Sequence, residues 1–555
     1  MKRIVFLAVV LTTGTCGLGA TASTEIYVDG SLWHDCAGKY DPTARECGDG
    51  AETAFVSIKS VTRSARPGMT FVLRGGDYKE VLHLTVSGTA EAPIIYQAKA
   101  GEKVTIRDID SIDAGEEYGP IWLDNVSYNV VSGIRVTESA GFLRAINSHH
   151  NTIRDNTFDT SYLYPSLSKR GGLYFEFSNH NKIINNSIRR GTDSLSLVHS
   201  DYNVVQGNRF EESGHELLTM KCSEGNVVRG NHFRNPQQKM MAVFDCEAAT
   251  SAWVGNGSFA ENKDILDRSH NNLIEKNVFA EAVSYYSTSG GNGIQYAGQQ
   301  GIIRHNVFHS ANVGLGMTRY EPEAQFNRGN RVYHNVFHDN QCGGIALFGA
   351  KSEKDKGIAD NKYANNILWD NKGWAPEGNC QGVSAGQVVY RDSFIGHLFI
   401  GNAIASPLGA AVLHNEFGEG EEINGYASKG QFKDTVVGDP GFVDASKHNY
   451  TLRPDSPVID RGVPLAHITS ADGSGTKLQL DDAAWFFDGN GIDGEEGDWI
   501  QIEGQSTPAQ ITRVDLDTNT LHLTMPFSWK KGAGLSLPWH GAAPDPGAKE
   551  SVPGS

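Results

Sequence analysis

His215, Glu216 and Lys221 fall within seven consecutive residues and combine an imidazole, a carboxylate and an amine, each able to give or take a proton. The carboxylates Glu176, Asp193 and Asp245 lie on neighbouring stretches, and His199, Tyr174 and Arg190 add further candidate acids. Two carboxyl groups held about 5 to 9.5 Å apart are the equipment for hydrolysing a glycosidic bond. A positioned lysine or histidine instead serves reactions that begin by moving a proton. Which chemistry applies depends on which of these side chains share a face.

The scaffold that sets the faces is a repeat. Asn203, Val205, Asn208 and Phe210 recur as Asn226, Val228, Asn231 and Phe233, each displaced by 23 residues. The first Asn of the unit stands at 129, 151, 181, 203, 226, 272, 330 and 361, with Gly301 once in its slot. The gap of 46 equals two coils with one degenerate, and the longer gaps are a coil plus a loop. A unit this short cannot close a core alone, so it stacks on its neighbours as a solenoid. Two apolar positions per unit, such as Ile153 with Phe158 or Val332 with Phe337, point inward, and the Asn amides stack as a ladder. Parallel strands joined by turns rather than helices make an all-β parallel β-helix.

Alternation within a strand then sorts the candidates. Leu218 and Met220 match Leu195 and Leu197 one coil earlier, and Leu173 and Phe175 before that, so these face in. Thr219 and Lys221 face out, over Ser196 and Val198 and then over Tyr174 and Glu176. Lys221 and Glu176 therefore share an external face two coils apart, roughly 10 Å at a strand spacing of ~4.8 Å. Such a face is where this architecture places a substrate groove. The basic pairs Lys169-Arg170 and Arg189-Arg190 sit on loops between coils, either as the wall of a cleft for an anionic chain or as ordinary surface.

The chain has 555 residues, 63 of them glycine, and a formal charge of -17, which disfavours a nucleic-acid partner. An anionic glycan stays open to it, because a basic cleft acts within a Debye length of ~10 Å. Residues 1–22 read as a signal peptide: Lys2 and Arg3, an apolar run over 4–11, then Ala20, Thr21 and Ala22 at a cleavage site. The run is too short to span a bilayer. Cys16 raises lipidation, but Thr15 replaces the usual small residue before it. A secreted or periplasmic monomer is expected. Cys36, Cys47, Cys222, Cys246, Cys342 and Cys380 remain after cleavage, and an even count in an exported chain favours disulfides. Cys36 and Cys47 flank a short loop, and Cys222 and Cys246, about one coil apart, are expected to be bridged.

Residues 58–65 predict a short helix ended by Pro67 and Gly68. Past residue 463, strands alternate with turns, predicting a small β-sandwich or barrel over 463–548. Its acidic stretch 488–498 lacks the register of a calcium loop, with Ile492 at the fifth position, and reads as a solvated turn.

The phrase PGMTFVLRGGDY resembles the opening of the pectate-lyase-like superfamily of right-handed parallel β-helices, and GDPGFVDASKHNYTLRPDSPVIDRG resembles their closing coil. That resemblance implies a right-handed helix, with its N-terminal cap, over 23–450. The stretch ELLTMKC followed by SEGNVVRGNHFRN is similar to the calcium-dependent lyases of the chondroitinase B and alginate lyase type. In that family the matching strand carries a glutamate ligand for Ca2+ and, five residues later, a lysine base. Glu216 and Lys221 fall on those slots, and Asp193, one coil before Glu216, on that of a second ligand. Two slots differ: the family's arginine would fall near Phe244, and Gly214 stands where it has another acid.

The resemblance implies an exported lyase acting on an anionic, uronate-containing polysaccharide by β-elimination. Calcium on Asp193 and Glu216 would neutralise the uronate, and Lys221 would take the proton. His215, His199, Tyr174 or Arg190 would supply the acid, and Glu176, His199, Lys169, Arg170 and Arg189 would line the cleft. A C5-epimerase shares the proton abstraction. The rival readings are a glycoside hydrolase drawing on Glu176, Asp193, Glu216 and Asp245, and a glycan-binding β-helix that does not cut.

Overall fold

The computed structural model describes residues 25–107, 119–165, 171–244, 269–282, 291–318, 327–347, 358–371, 386–390, 397–405, 412–414, 420–421 and 431–551. The signal segment, Lys169, Arg170, Asp245 and Cys246 lie outside these described residues.

Coil after coil gives one short strand to each of three long parallel sheets. The first includes Glu25–Val28 and Thr70–Leu73 and continues through Lys182–Ile184, Val204–Gln206 and Val227–Arg229. The second includes Ser187–Arg189, Arg209–Glu211 and His232–Arg234. The third includes Leu173–Glu176, Leu195–Val198, Glu216–Lys221 and Lys239–Phe244. The chain is thus a parallel β-helix, and its repeating Asn positions explain why it stacks. The amide N–H of Asn203 donates to Oδ1 of Asn226 at 2.8 Å, and the Asn203 side-chain amide donates to the same atom at 3.1 Å. A second Asn ladder, at Asn186, Asn208, Asn231, Asn277 and Asn306, repeats the arrangement at the next turn. Each ladder satisfies backbone donors where the chain leaves one sheet for another, which buried turns otherwise leave unpaired. Inside, Phe210, Phe233, Phe279, Phe308 and Phe337 stack at centroid distances of 4.7 to 4.9 Å, one ring per coil.

The 46-residue gap departs from the expectation of two coils. Val227 pairs directly with Leu273, and Asn226 bonds directly to Asn272, so this is a single coil carrying an insertion after its third strand. Spacing counts residues, whereas the ladder counts coils.

The helix Ile58–Ser64 forms near the N-terminal end of the stack, with the Ser57 side chain accepting from the Ser60 N–H. Cys36 and Cys47 are disulfide-bonded beside it. Cys222 and Cys342 each take part in a disulfide, and Cys246, the mate expected for Cys222, lies with Cys380 outside the described residues. Among the described residues no helix is long and apolar enough to cross a membrane.

Beyond residue 463 the strands form the small β unit expected there, one six-stranded antiparallel sheet curved as a half-barrel, with a bridge from Ile468 to Leu480 between its edge strands. Its missing layer is the solenoid. Trp485, Phe486, Phe487, Ile500 and Ile502 form one buried cluster with Val204, Val227, Leu273, Ile302 and Tyr333 from the outer face of the first sheet. The stretch 488–498 is therefore not simply a solvated turn: Asp498 holds Arg304, Glu495 holds Arg229, and Asp488 accepts the Val514 N–H.

The chain's end folds back onto the turns between the first and second sheets. His334 Nδ1 meets the Asp545 carbonyl at 3.0 Å and His305 Nδ1 meets that of Ala548 at 3.2 Å. His334 is buried and His305 half-buried, and loss of solvent is the main cause that pushes their pKa down, to about 4 and about 3. The unfolded chain, with ordinary histidines, then binds more protons below pH ~6.5, so stability falls as pH drops from there toward 4. His334→Asn keeps a donor for the carbonyl and removes the titration. Relative to this variant, the wild type should lose up to ~1.4 kcal/mol per pH unit across that window. Parallel denaturation curves of the two proteins at several pH values check it; a pH-independent difference would refute it.

Candidate active site

The strand Glu216–Lys221 lies in the third sheet between Leu195–Val198 and Lys239–Phe244. Leu218 and Met220 face the core over Leu195 and Leu197, while Thr219 sits over Ser196 and Lys221 over Val198. Strict alternation ends at the start of the strand. Leu217 and Leu218 are both fully buried, as are Met240 and Met241 one coil on. The break leaves Glu216 on the same side as Thr219, whose hydroxyl donates to Glu216 Oε2 at 3.0 Å.

Four charged groups meet there. His215 Nδ1 lies 2.7 Å from Asp193 Oδ1 and 2.9 Å from Glu216 Oε2, and Lys239 Nζ lies 3.1 Å from Glu216 Oε1. Asp193 sits one coil below Glu216, its carboxylate also reached by the Glu216 N–H at 3.4 Å. The carboxylates are 2% exposed, whereas the His215 and Lys239 side chains keep 15% and 12%. Burial pushes the Asp193 carboxyl up. It opposes ionisation of Glu216 as well, but His215 and Lys239 together hold that carboxyl well below its ordinary value. Burial would lower His215; the hydrogen bonds its Nδ1–H gives to the two acidic neighbours outweigh it and raise the ring to about 9. Near neutral pH, two carboxylates therefore face two cations, and the cluster balances its own charge.

Asp193, His215 and Glu216 each offer one ligand atom, all within 4.8 Å of one another, the donor set a divalent ion would use in place of the Nδ1 proton. An imidazole nitrogen with two carboxylates suits zinc, manganese or copper. Calcium takes six to eight oxygens, and here two side chains offer them, one already bonded to an ammonium.

The remaining candidates scatter. Lys221 is half-buried on the outer face, with Glu176 two coils below it, buried, and Phe244 one coil above, so no arginine occupies that neighbouring slot. Tyr174 faces out between Arg144 and Ser196. His199 stacks on Phe177 at a turn, with rings 4.9 Å apart. Arg189 and Arg190 converge on Asp159 in the second sheet, at 3.3 and 2.9 Å. Lys169, Arg170 and Asp245 lie outside the described residues. Lys239 escaped the reading of the sequence, although it stands 23 residues after Glu216, as Asp193 stands 23 before it.

Residues 95–296 match a family described as "Periplasmic copper-binding protein (NosD)". An uncharacterized protein, YwoF of Bacillus subtilis (strain 168), is 22% identical over 451 residues, covering 73% of this chain and 88% of that one. Among solved structures, the pectate lyase Pel9A is 14% identical, with 81% of this chain and 94% of that chain covered and a TM-score of 0.39. The PL6 family alginate lyase AlyGC is 12% identical, with 72% and 56% covered and a TM-score of 0.38. What is shared with the two lyases is the β-helix.

Proposed function

We propose that this protein is an exported lyase that cleaves a uronate-containing polysaccharide by β-elimination. The observation that carries it is the His215 imidazole, clamped at Nδ1 by two buried carboxylates on the sheet face that also bears Lys221. Lys221 takes the C5 proton of the uronate, the C4–C5 double bond forms as the C4–O4 bond breaks, and Tyr174, two coils below on the same outer face, gives a proton to O4, since His215 stands ~20 Å away along the strand. Asp193 and Glu216 hold the His215 ring protonated, a cation for a uronate carboxylate bound further along the strand. The Lys239 ammonium, beside Glu216, completes the charge balance. In place of the Nδ1 proton of His215, Asp193, Glu216 and His215 are the residues that would hold a divalent cation, which when bound would supply Lewis acidity toward the uronate carboxylate.

Burial weighs against hydrolysis by Asp193 and Glu216. Asp193 and Glu216 are close enough to act as a carboxylate pair, yet at 2% exposure neither reaches an anomeric carbon. His215 and Lys221 are the groups that come to the surface. Export fits the Cys36–Cys47 disulfide, since such bonds persist in oxidising compartments, and the matching family description is periplasmic.

The test is a screen of alginate, pectate, glycosaminoglycans and ulvan, read by the ultraviolet absorbance of an unsaturated uronate. New reducing ends without that absorbance would favour a hydrolase, and neither signal a binding protein. Run with chelator, and with calcium, zinc, manganese or copper restored, the screen also addresses the cation. A bound ion should raise the melting temperature with its concentration, by mass action on the native state. If chelation and every ion leave both melting and turnover unchanged, the cation is discarded and the four-charge cluster acts alone.

A further inference from the structure

The third sheet carries a second feature on the same outer face. His83, Trp122, Arg144 and Tyr174 are in-register neighbours on successive coils. Residues on either side of each, such as Leu82 and Leu84, Ile121 and Leu123, or Leu173 and Phe175, are buried in the core, so all four side chains point outward. Each is partly exposed. After Tyr174 the same column turns small, through Ser196, Thr219 and Ala242. That change in bulk falls where Asp193, His215 and Glu216 begin.

Resting on the lyase reading, we infer that Trp122, Arg144 and Tyr174 form the binding platform that selects an acidic glycan strand and leads it to His215 and Lys221. Neighbouring positions in the column are separated by one strand spacing, ~4.8 Å. The two aromatic rings therefore stand roughly 10 Å apart, the length scale of a disaccharide, with the guanidinium between them. Aromatic rings take the apolar faces of sugars, and a guanidinium matches a carboxylate in a fork. This alternation of ring, cation and ring suits a chain of uronates better than a neutral glycan. The chain as a whole is strongly acidic, so the preference for an anion must be local, and Arg144 is the cation in this column. His83, which meets Trp122 edge-on and lies 3.5 Å from Asp124, closes the platform's far end.

The experiment is isothermal titration of the full chain carrying Lys221→Ala, so that the ligand survives, with tetrasaccharides of guluronate, mannuronate or galacturonate and with cellotetraose as the neutral control. Trp122→Ala and Tyr174→Ala are each expected to weaken uronate binding by about tenfold or more. Arg144→Gln should weaken the uronates and leave cellotetraose unchanged. Trp122→Phe, which keeps a ring, should retain most of the affinity and guards against loss of fold, as does the melting temperature of each variant. Unchanged affinities in all the variants, no binding of any uronate, or equal binding of cellotetraose would overturn the platform. The lyase reading fails separately: wild-type protein that binds these tetrasaccharides through the platform but yields no unsaturated product has the platform without the chemistry.

Discussion

Lys221→Ala is expected to lower turnover by at least ~10²-fold, the usual worth of a positioned general base, while the solenoid remains folded. The side chain is half-buried on the outer face, and the core beneath it is filled by Leu218 and Met220 from the same strand. Removal leaves the inward packing intact, and substitutions of that kind ordinarily change stability by no more than ~0.5 kcal/mol. Lys221→Arg should be nearly as damaging, because a guanidinium stays protonated at any working pH. His215→Gln should also cut turnover, but with a second signature. Glutamine cannot carry the positive charge that balances Asp193 and Glu216, so this variant should lose stability as well as rate. Lys239→Met separates the two effects. It removes the cation beside Glu216 and destabilises the cluster, yet leaves the base and the acid in place. The hydrolase reading orders the variants differently: Glu216 would be indispensable and Lys221→Ala mild. Near-full turnover in Lys221→Ala would falsify the site as assigned, while leaving the β-helix standing.

How much of this was legible beforehand differs between scaffold and site, for a physical reason. The Asn period is visible because each amide serves a backbone donor on the adjacent coil, a task no other side chain in the ladder performs; only Gly301 interrupts the first series. The same period places Asp193 under Glu216 and Lys239 over it. It says nothing of the face Glu216 adopts, because the break at Leu217-Leu218 carries no glycine or proline to mark it. Nor does it distinguish His215 from any other histidine near a turn. That ring matters because two buried carboxylates converge on one nitrogen, a contact made in three dimensions. The C-terminal sheet shows a second kind of blindness. Turns and alternation give strands but not what covers them. A single sheet has one apolar face to bury, and here a second layer comes from the solenoid. The complementary signal was present on the other partner. Val204, Val227, Leu273 and Ile302 form an unbroken apolar column on a face that should otherwise meet water.

Beside that apolar column runs a charged one, and it carries the largest stability effect expected in the molecule. Arg229, Glu275 and Arg304 are in-register neighbours on three successive coils, followed by Tyr333. Arg304 lies 2.7 Å from Glu275 and places two nitrogens 2.6 and 2.7 Å from the Asp498 carboxylate of the docked sheet. Its side chain is 5% exposed, and those of Glu275 and Asp498 are 3% and 9%. Burial opposes the ionisation of Glu275, but Arg304 and Arg229 outweigh it and hold the carboxyl at about 2. The contribution of that group is present above its ordinary titration range and is lost as pH falls toward 2. Arg304→Met keeps the bulk of the stem and removes the charge, stranding Asp498 without its partner and leaving Glu275 with Arg229 alone. Breaking one side of a buried ion pair costs about 3 to 5 kcal/mol. The loss should be local, since the Asn ladders and the Phe stack do not involve Arg304. Limited proteolysis should then cut the region after residue 463 before the solenoid, and denaturation should split into two steps. Adding Asp498→Leu to Arg304→Met should recover much of the loss, because it removes the stranded charge and extends an apolar contact. If the single variant stays within ~1 kcal/mol of wild type and is cleaved no faster, the apolar column alone holds the two layers together and the charged one is incidental.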